Sequence, residues 1–152
     1  MSNYDLFVIG GGSAGLAAAK RAAKHGAKVA LAEPAQLGGT CAARGCIPKK
    51  LMVYASEFAQ QFEDAVGYGW SRSTAQFEWR SLITAIQQDI DRLDAIHAKS
   101  LEEAGIQLFR SEAAFVDTHT LVVGAQRITA DKILIAVGGK AIKPKIPGIE
   151  HA

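Results

Sequence analysis

The sequence lacks a strong excess of charge of either sign. Its 17 basic and 15 acidic residues give a formal net charge of +2 and are spread along the chain, so no basic stripe or acidic tail points to nucleic acid or anionic lipid. It also lacks a long hydrophobic run. The alanine-rich stretch 14–32 is interrupted by basic residues, and no secretory signal precedes the first apolar run. We therefore expect no membrane span.

Cysteine is scarce as well, and its only two occurrences are Cys41 and Cys46. Without a secretory signal we expect a cytoplasmic protein, in which two thiols serve redox catalysis or metal binding more often than a structural disulfide. Their spacing is not CxxC, and no further cysteine or suitably spaced histidine completes a four-ligand zinc site. We therefore expect a redox pair and no metal.

The chain of 152 residues, 49% apolar and 21% charged, is long enough for one folded domain. The segment "YDLFVI", Tyr4 to Ile9, predicts a buried first strand. The next 24 residues have apolar side chains at helical spacing, a stop at Gly26 and an apolar strand, "KVALAE", at 28–33. This order predicts a β-α-β unit.

The sequence after the β-α-β unit predicts a pair of long helices and several short strands. We expect helices over 48–64 and 77–104, separated by the glycine- and serine-containing loop 66–76. Strand-like segments follow at 106–116, 120–124 and 126–139, and we expect a small β-meander among them. The alternation predicts an α/β, Rossmann-like domain with a parallel sheet. We place this domain at 1–143 and a linker at 144–152.

A GxGxxG pattern, formed by Gly10, Gly12 and Gly15, lies between the first strand and the first helix. Such glycines allow a tight turn and a close approach of backbone to a pyrophosphate at the helix N-terminus. Glu33 ends the second strand, where a carboxylate binds ribose hydroxyls and repels a 2′-phosphate. The pattern favours FAD or NAD over NADP. The alternative is that the glycines serve only packing and that Glu33 is a solvated strand end.

The segment "GGTCAARGCIPKK", residues 38–50, contains both thiols. Cα atoms five positions apart on a regular helix are separated by about 8.6 Å, whereas bridged cysteines need less than about 7 Å. If the thiols pair, residues 41–46 cannot be regular helix, and Gly45 together with Pro48 would supply the irregularity. Such a distorted turn places the sulfurs near a helix N-terminus and Lys49, which favour a reactive thiolate.

These motifs together carry a specific resemblance. "GGTCxxxGCxPKK" after "GGGSAG" and an acidic strand end resembles the flavin-dependent disulfide reductases, which are pyridine nucleotide-disulfide oxidoreductases. Within them it is similar to the glutathione reductases of plants and cyanobacteria, in which an arginine precedes the glycine between the cysteines and a "YGW" loop follows. Arg44 and the stretch 68–70 match these two features. "ILIAVGG" and "PKIPG" extend the resemblance over nearly the whole chain.

The resemblance implies FAD as cofactor and NADPH as the hydride source for the whole enzyme. It implies that Cys46 is the charge-transfer thiolate beside the flavin, that Cys41 attacks the incoming disulfide through a mixed disulfide, and that Lys49 lies near flavin N5. Positions that match the family's FAD contacts, in addition to Lys49, are Gly10, Gly12, Ser13, Ala14, Gly15, Glu33, Thr40, Ala113, Ala136, Val137 and Gly138. Val137 departs from the family's usual threonine.

The substrate implied by the resemblance is glutathione disulfide, with Ser13, Lys20 and His97 at substrate-binding positions. Lys20 stands where many relatives carry an arginine, and His97 where many carry a tyrosine; the alternative is that both are exposed helix residues without a role. "PKK" is similar to glutathione and trypanothione reductases, whereas dihydrolipoamide dehydrogenases and mercuric reductases usually show "PSK". These relatives remain alternative identities for the substrate.

Enzymes of this family are much longer and contain an NADPH-binding domain and a dimer-interface domain with a catalytic histidine. We therefore interpret the chain as the N-terminal segment of an FAD-binding domain, incomplete relative to the family fold. We expect the whole enzyme to be a homodimer and this segment alone to be inactive. A free-standing flavin-binding or thiol-switch module is the alternative from a different functional class.

Overall fold

The computed structural model describes residues 3–71 and 75–151. The elements in chain order are β1 (Tyr4–Ile9), α1 (Ser13–Lys24), β2 (Val29–Ala32), α2 (Cys46–Asp64), α3 (Trp79–Glu103), β3 (Gln107–Phe109), β4 (Ala113–Phe115), β5 (Thr120–Val123) and β6 (Gln126–Ile135). Short helical turns lie at Thr40–Arg44, Ala65–Tyr68 and Ile149–His151. No helix in the described part of the chain has the length and apolar character to cross a membrane.

The strands form one sheet in the order β3-β2-β1-β6-β5-β4. The first four of these strands are parallel, and β6-β5-β4 is an antiparallel meander. β6 belongs to both parts, because its first residues pair with β5 and its later residues, from Ala130 to Ile135, pair with β1. The predicted α/β, Rossmann-like architecture with a parallel sheet, a long helix pair and a β-meander is confirmed.

Two apolar layers cover opposite faces of the parallel strands. Val8 points to the face covered by α1 and α3, where it packs in a cluster with Leu16 and Leu101. Its neighbour Phe7 points to the other face and packs in a cluster with Leu121 of the meander. Both β1 side chains are 0% exposed. Because β1 is buried on both faces, it holds the residues at its carboxyl end in a fixed place.

Several element boundaries differ from the sequence-based predictions. The stretch 106–116 is two strands separated by Arg110–Glu112, and β6 ends before the predicted 139. The predicted loop 66–76 begins inside the helical turn Ala65–Tyr68, and residues 72–74 of that loop lie outside the described residues. Helix and strand propensities do not predict these element boundaries, because tertiary contacts decide where short elements begin and end.

Candidate functional site

The glycine turn, residues 10–15, joins β1 to α1 and is held by close backbone contacts. Gly10 has φ +108°, a conformation that favours glycine, and a Cβ there would overlap the carbonyl oxygen of Ala136. A Cβ on Gly15 would overlap the carbonyl oxygen of Gly10. The pattern therefore brings α1 and β1 within backbone contact of each other, as the sequence predicts, and it also places Ala136, which follows β6, against Gly10.

The N-terminus of α1 opens directly from this turn. Gly12 is the N-cap residue in an extended conformation and accepts from the Leu16 amide at 2.9 Å. The amides at the start of a helix have no partner within the helix and attract anions. The first turn contains Ser13 and Ala14, both exposed, and no acidic residue. This end of α1 is therefore suited to a phosphate group.

Glu33 follows β2 and turns its carboxylate toward the glycine turn. Its Oε2 accepts from the Gly11 amide at 2.8 Å and its Oε1 accepts from the Ala35 amide at 2.9 Å. The carboxylate is thus fixed by backbone rather than freely solvated, and it retains acceptor sites because a carboxylate has about four. The alternative reading of Glu33 as a solvated strand end does not describe its position.

A cavity of about 270 Å³ lies beside Glu33. It brings together predicted site residues from four separate parts of the chain. Its lining consists of Ile9, Gly10, Ala32, Glu33, Pro34, Ser111, Glu112, Ala113 and Val137. A polar mouth with a carboxylate and an apolar wall is the composition expected for the nucleoside end of a dinucleotide site.

The dithiol loop, residues 34–40, is seated directly against the glycine turn. The Gly38 amide donates to the Gly11 carbonyl at 2.8 Å, and Gly38 forms a parallel bridge with Gly12. A Cβ on Gly39 would lie 2.8 Å from the Gly12 Cα. The loop that leads into Cys41 is therefore tied to the predicted nucleotide turn.

The backbone between the cysteines is irregular, as predicted. Thr40–Arg44 is a wide, π-helical turn, and Gly45 breaks it with φ −137° and ψ −104°. α2 then begins at Cys46 rather than at 48. The predicted disturbance of Ile47 by Pro48 is wrong, because Ile47 is helical and Pro48 lies in the first turn of α2, where a missing N–H removes no helical bond.

Cys41 and Cys46 are both free thiols and both exposed, and their side chains form a hydrogen bond. This bond raises the pKa of Cys41 above its ordinary value, with burial and the charge of Cys46 acting in the same direction. A bond from the Cys46 amide and the cation of Lys49 act in the opposite direction and are weaker. The Cys46 amide and Lys49 thus stabilise a thiolate at Cys41, as expected. In the dithiol form, however, the groups that raise the pKa of Cys41 have the larger effect.

The remaining predicted positions lie in α2 and just after β6. The Lys49 amide donates to Gly45 at 2.9 Å, within the first turn of α2. The Ala136 amide donates to the Ile9 carbonyl at 2.8 Å, which fixes the end of β6 beside the glycine turn. Gly138 follows with φ +65° and is exposed.

Lys20 on α1 and His97 on α3 face each other near the dithiol loop. Both are only partly exposed, so the reading of them as exposed helix residues does not fit. The His97 Nε2 would lie 3.4 Å from a Cβ on Gly38. Burial lowers the pKa of His97, the Lys20 cation lowers it further, and Asp94 opposes both.

Sequence reasoning missed two residues that hold the dithiol loop, Asp94 and Arg110. Asp94 accepts from the Leu37 amide at 2.7 Å and pairs with Arg110, whose guanidinium also donates to the Ala35 carbonyl. Their partners lie 16 to 75 positions away along the chain, so no local pattern could have indicated them.

A separate apolar groove of about 700 Å³ lies between α2 and α3. Its wall includes Met52, Phe58, Phe62, Phe77 and Trp79. None of the predicted site residues lines it. The groove is therefore not part of the candidate site.

Comparison with known proteins agrees with this arrangement. The model of the pyridine nucleotide-disulphide oxidoreductase family matches residues 4–152, and the chain belongs to that family. It is similar to glutathione reductase from Nostoc sp., with 57% identity over 149 residues that cover 98% of this chain and 32% of that protein. It is also similar to glutathione reductase from Burkholderia cepacia, with 44% identity over 146 residues that cover 96% and 32%.

A solved structure has the same fold. It is the Cu(II) complex of the HOCl-induced flavoprotein disulfide reductase RclA from Escherichia coli, with a TM-score of 0.75 and 30% identity. The match covers 96% of this chain and 30% of that chain. The present chain therefore spans about a third of the length of the relatives that it matches.

Proposed function

We propose that this chain is the FAD-binding, dithiol-bearing segment of a flavoprotein that reduces glutathione disulfide with NADPH. The observation that carries the proposal is the contact between the two thiols, which directly follow a loop that is bridged to the glycine turn through Gly38 and Gly12. A redox dithiol beside a dinucleotide turn is the arrangement that a flavin-linked disulfide reductase needs. The relatives from Nostoc sp. and Burkholderia cepacia are named glutathione reductases.

The residues present fit FAD. The start of α1 would hold the pyrophosphate, Glu33 would accept bonds from the adenosine ribose, and Ala113 with Val137 would line the nucleoside cavity. Ala136 and Gly138 would flank the cofactor at the end of β6, and Thr40 would approach it from the dithiol loop. When bound, FAD supplies to the Cys41–Cys46 disulfide the two electrons that it receives from NADPH.

The chemistry of the dithiol is two successive thiol exchanges. The Cys41 thiolate attacks one sulfur of the substrate disulfide; the substrate S–S bond breaks, a Cys41–substrate disulfide forms, and one glutathione thiolate leaves and takes up a proton. The Cys46 thiolate then attacks the Cys41 sulfur, releases the second glutathione in the same way, and leaves the Cys41–Cys46 disulfide. The substrate gains two electrons and two protons, and the dithiol loses them.

Cationic side chains support this assignment. Lys49, in the first turn of α2, acts against the raised pKa of Cys41 and so favours its attacking form. Lys20 lies on α1 and His97 on α3, close to Gly38, and the two would receive a carboxylate of glutathione, with Ser13 at the start of α1. The Lys20 cation would attract the carboxylate, and the imidazole of His97, whose lowered pKa keeps it neutral at neutral pH, would donate a hydrogen bond.

The test is steady-state turnover of the whole protein with NADPH and either glutathione disulfide or lipoamide. We expect NADPH oxidation with glutathione disulfide, loss of that oxidation when Cys46 is replaced by serine, and a long-wavelength thiolate–flavin absorbance that also depends on Cys46. Turnover of lipoamide, trypanothione disulfide or mercuric ion in place of glutathione disulfide would reject glutathione disulfide as the substrate. The assignment to the family would remain unchanged. Bound FAD with no disulfide turnover would favour a free-standing flavin-binding module.

The proposal includes assembly and location. The family resemblance implies a homodimer of the whole protein, and the sequence-based expectation of a cytoplasmic protein would place it where it maintains the thiol balance of the cell. Light scattering of the purified protein and fractionation of cell extracts test these two statements. A monomeric mass with full turnover would reject the dimer alone.

A further inference from the structure

An ion pair from outside the dithiol loop holds its backbone. This loop, residues 34–40, has little regular structure of its own and joins Glu33, at the nucleoside cavity, to Cys41, at the dithiol. We call the pair Asp94 and Arg110 the loop clamp. Asp94 belongs to α3, and Arg110 directly follows β3.

The clamp has the geometry of a two-pronged bond. The Arg110 guanidinium donates to both carboxylate oxygens of Asp94, at 3.0 and 2.7 Å. Arg110 also donates to the Ala35 carbonyl at 2.9 Å, and Asp94 accepts from the Leu37 amide at 2.7 Å. The pair therefore contacts the loop backbone at two points, one on each side of Gln36. Lysine could not form this set, because it lacks the planar fork.

The bonds act on a part of the loop that is also held by packing, by the glycine turn and by one side-chain bond, in which Gln36 Nε2 donates to Asp91 of α3 at 3.3 Å. The Leu37 side chain is 1% exposed in the apolar cluster, and the next residue, Gly38, bonds to Gly11. The Asp94 side chain is 23% exposed, less than its partner at 40%. Burial alone would raise the pKa of Asp94, but the bonds from Arg110 and Leu37 outweigh it and lower that pKa, so the carboxylate stays charged at neutral pH.

We propose that Asp94 and Arg110 are positioning residues that hold the dithiol loop, and with it Cys41, in register with the glycine turn. The inference rests on the proposed function, because it concerns the placement of the dithiol toward the flavin site. It differs from a general stabilising role, since the clamp contacts the loop backbone directly. Loss of the clamp leaves the thiols intact and moves the segment that leads into Cys41.

The experiment uses the whole protein with its bound flavin and three variants. Arg110→Lys keeps the charge and removes the fork, and Asp94→Asn keeps the shape and removes the charge. The control is Asp89→Asn, which breaks the Arg92–Asp89 pair on the same helix, at 2.6 Å, without touching the loop. Two readouts are compared: the thiolate–flavin absorbance per bound flavin after two-electron reduction, and hydrogen exchange of the peptide that contains Leu37 and Gly38.

We expect both clamp variants to weaken the thiolate–flavin absorbance, to speed exchange at Leu37 and Gly38, and to lower kcat about tenfold or more, since small misplacements of reacting groups are costly. Asp89→Asn should match the wild type in all three. Clamp variants that keep the wild-type absorbance and exchange rates would overturn the proposal. This conclusion would hold even if the variants had a lower melting temperature than the wild type.

Failure of the proposed function gives a different result. In that case the unsubstituted protein shows neither disulfide turnover nor the thiolate–flavin absorbance. The exchange rates at Leu37 and Gly38 need neither flavin nor disulfide, so they still decide whether the clamp holds the loop.

Discussion

At the scale of single residues, the pKa of Cys41 depends more on its neighbour Cys46 than on the cation of Lys49. Its hydrogen bond with Cys46 raises the pKa of Cys41, whereas Lys49 lowers it. Cys41 therefore keeps its proton to higher pH as long as the reduced partner is beside it. The Cys41 thiol is therefore less reactive while it is hydrogen-bonded to Cys46 than it would be without that bond.

Replacing Cys46 with alanine should lower the pKa of Cys41, because the largest cause of its upward shift is removed while Lys49 remains. The rate of alkylation of Cys41 by iodoacetamide should then rise at pH values below the wild-type pKa. Mass spectrometry of the Cys41 peptide across a pH series measures it. Lys49→Met should shift the same profile in the opposite direction, and identical profiles for the two variants would contradict the explanation.

The titration of His97 gives a second check at this scale. Burial and the Lys20 cation both lower the pKa of His97. Lys20→Met should raise that pKa toward the ordinary histidine value, because only burial then acts downward; Asp94→Asn should lower it further, because the opposing negative charge is lost. NMR titration of the imidazole measures both shifts. If neither substitution changes the pKa of His97, the side chains of Lys20 and Asp94 lie farther from His97 than they do in the structure.

At the scale of elements, the contact between α1 and β1 depends on Gly15. Gly15→Ala adds a Cβ that overlaps the Gly10 carbonyl oxygen. This oxygen is a backbone atom and cannot move away by a side-chain rotation. Alanine gains about 1 kcal/mol in helix propensity, but overpacking against fixed backbone costs about 3 kcal/mol. We expect a net loss in the free energy of unfolding, measured by urea titration, together with weaker FAD binding.

The matched control is Gly67→Ala. No atom lies within 4 Å of a Cβ built there, and Gly67 is not among the glycines with positive φ. Its stability should equal or slightly exceed that of the wild type. Equal effects of the two substitutions would show that the α1–β1 contact is not the cause.

The elements also show how far sequence reasoning reaches. β1 was predicted to the residue and α3 to within two residues, because a doubly buried strand and a long amphipathic helix have strong periodic patterns. The glycine turn and the irregular turn before Cys46 followed from local stereochemistry. The clamp did not, since it depends on α3 and β3 meeting a loop far away in sequence. In the nucleoside cavity, Gly10 and Glu33 follow from the GxGxxG pattern, whereas Ala113 and Val137 follow only from the family resemblance.

At the scale of the whole molecule, the chain contains one GxGxxG pattern, which the proposed FAD site uses. The chain spans about a third of the length of its relatives. We therefore expect this segment alone, mixed with FAD, NADPH and glutathione disulfide, to leave NADPH absorbance at 340 nm unchanged. We expect the whole protein, under the proposed function, to consume NADPH. Cys46-dependent NADPH oxidation by the segment would contradict this expectation.

The pairing of β6 with β1 links the two ends of the folded segment. The Ala136 amide bonds to the Ile9 carbonyl, and the register runs from Tyr4 with Ala130 to Ile9 with Ile135. Contacts so distant along the chain form late. During synthesis on the ribosome, the first strand and its glycine turn must therefore wait, with one edge unpaired, until nearly the entire segment has emerged.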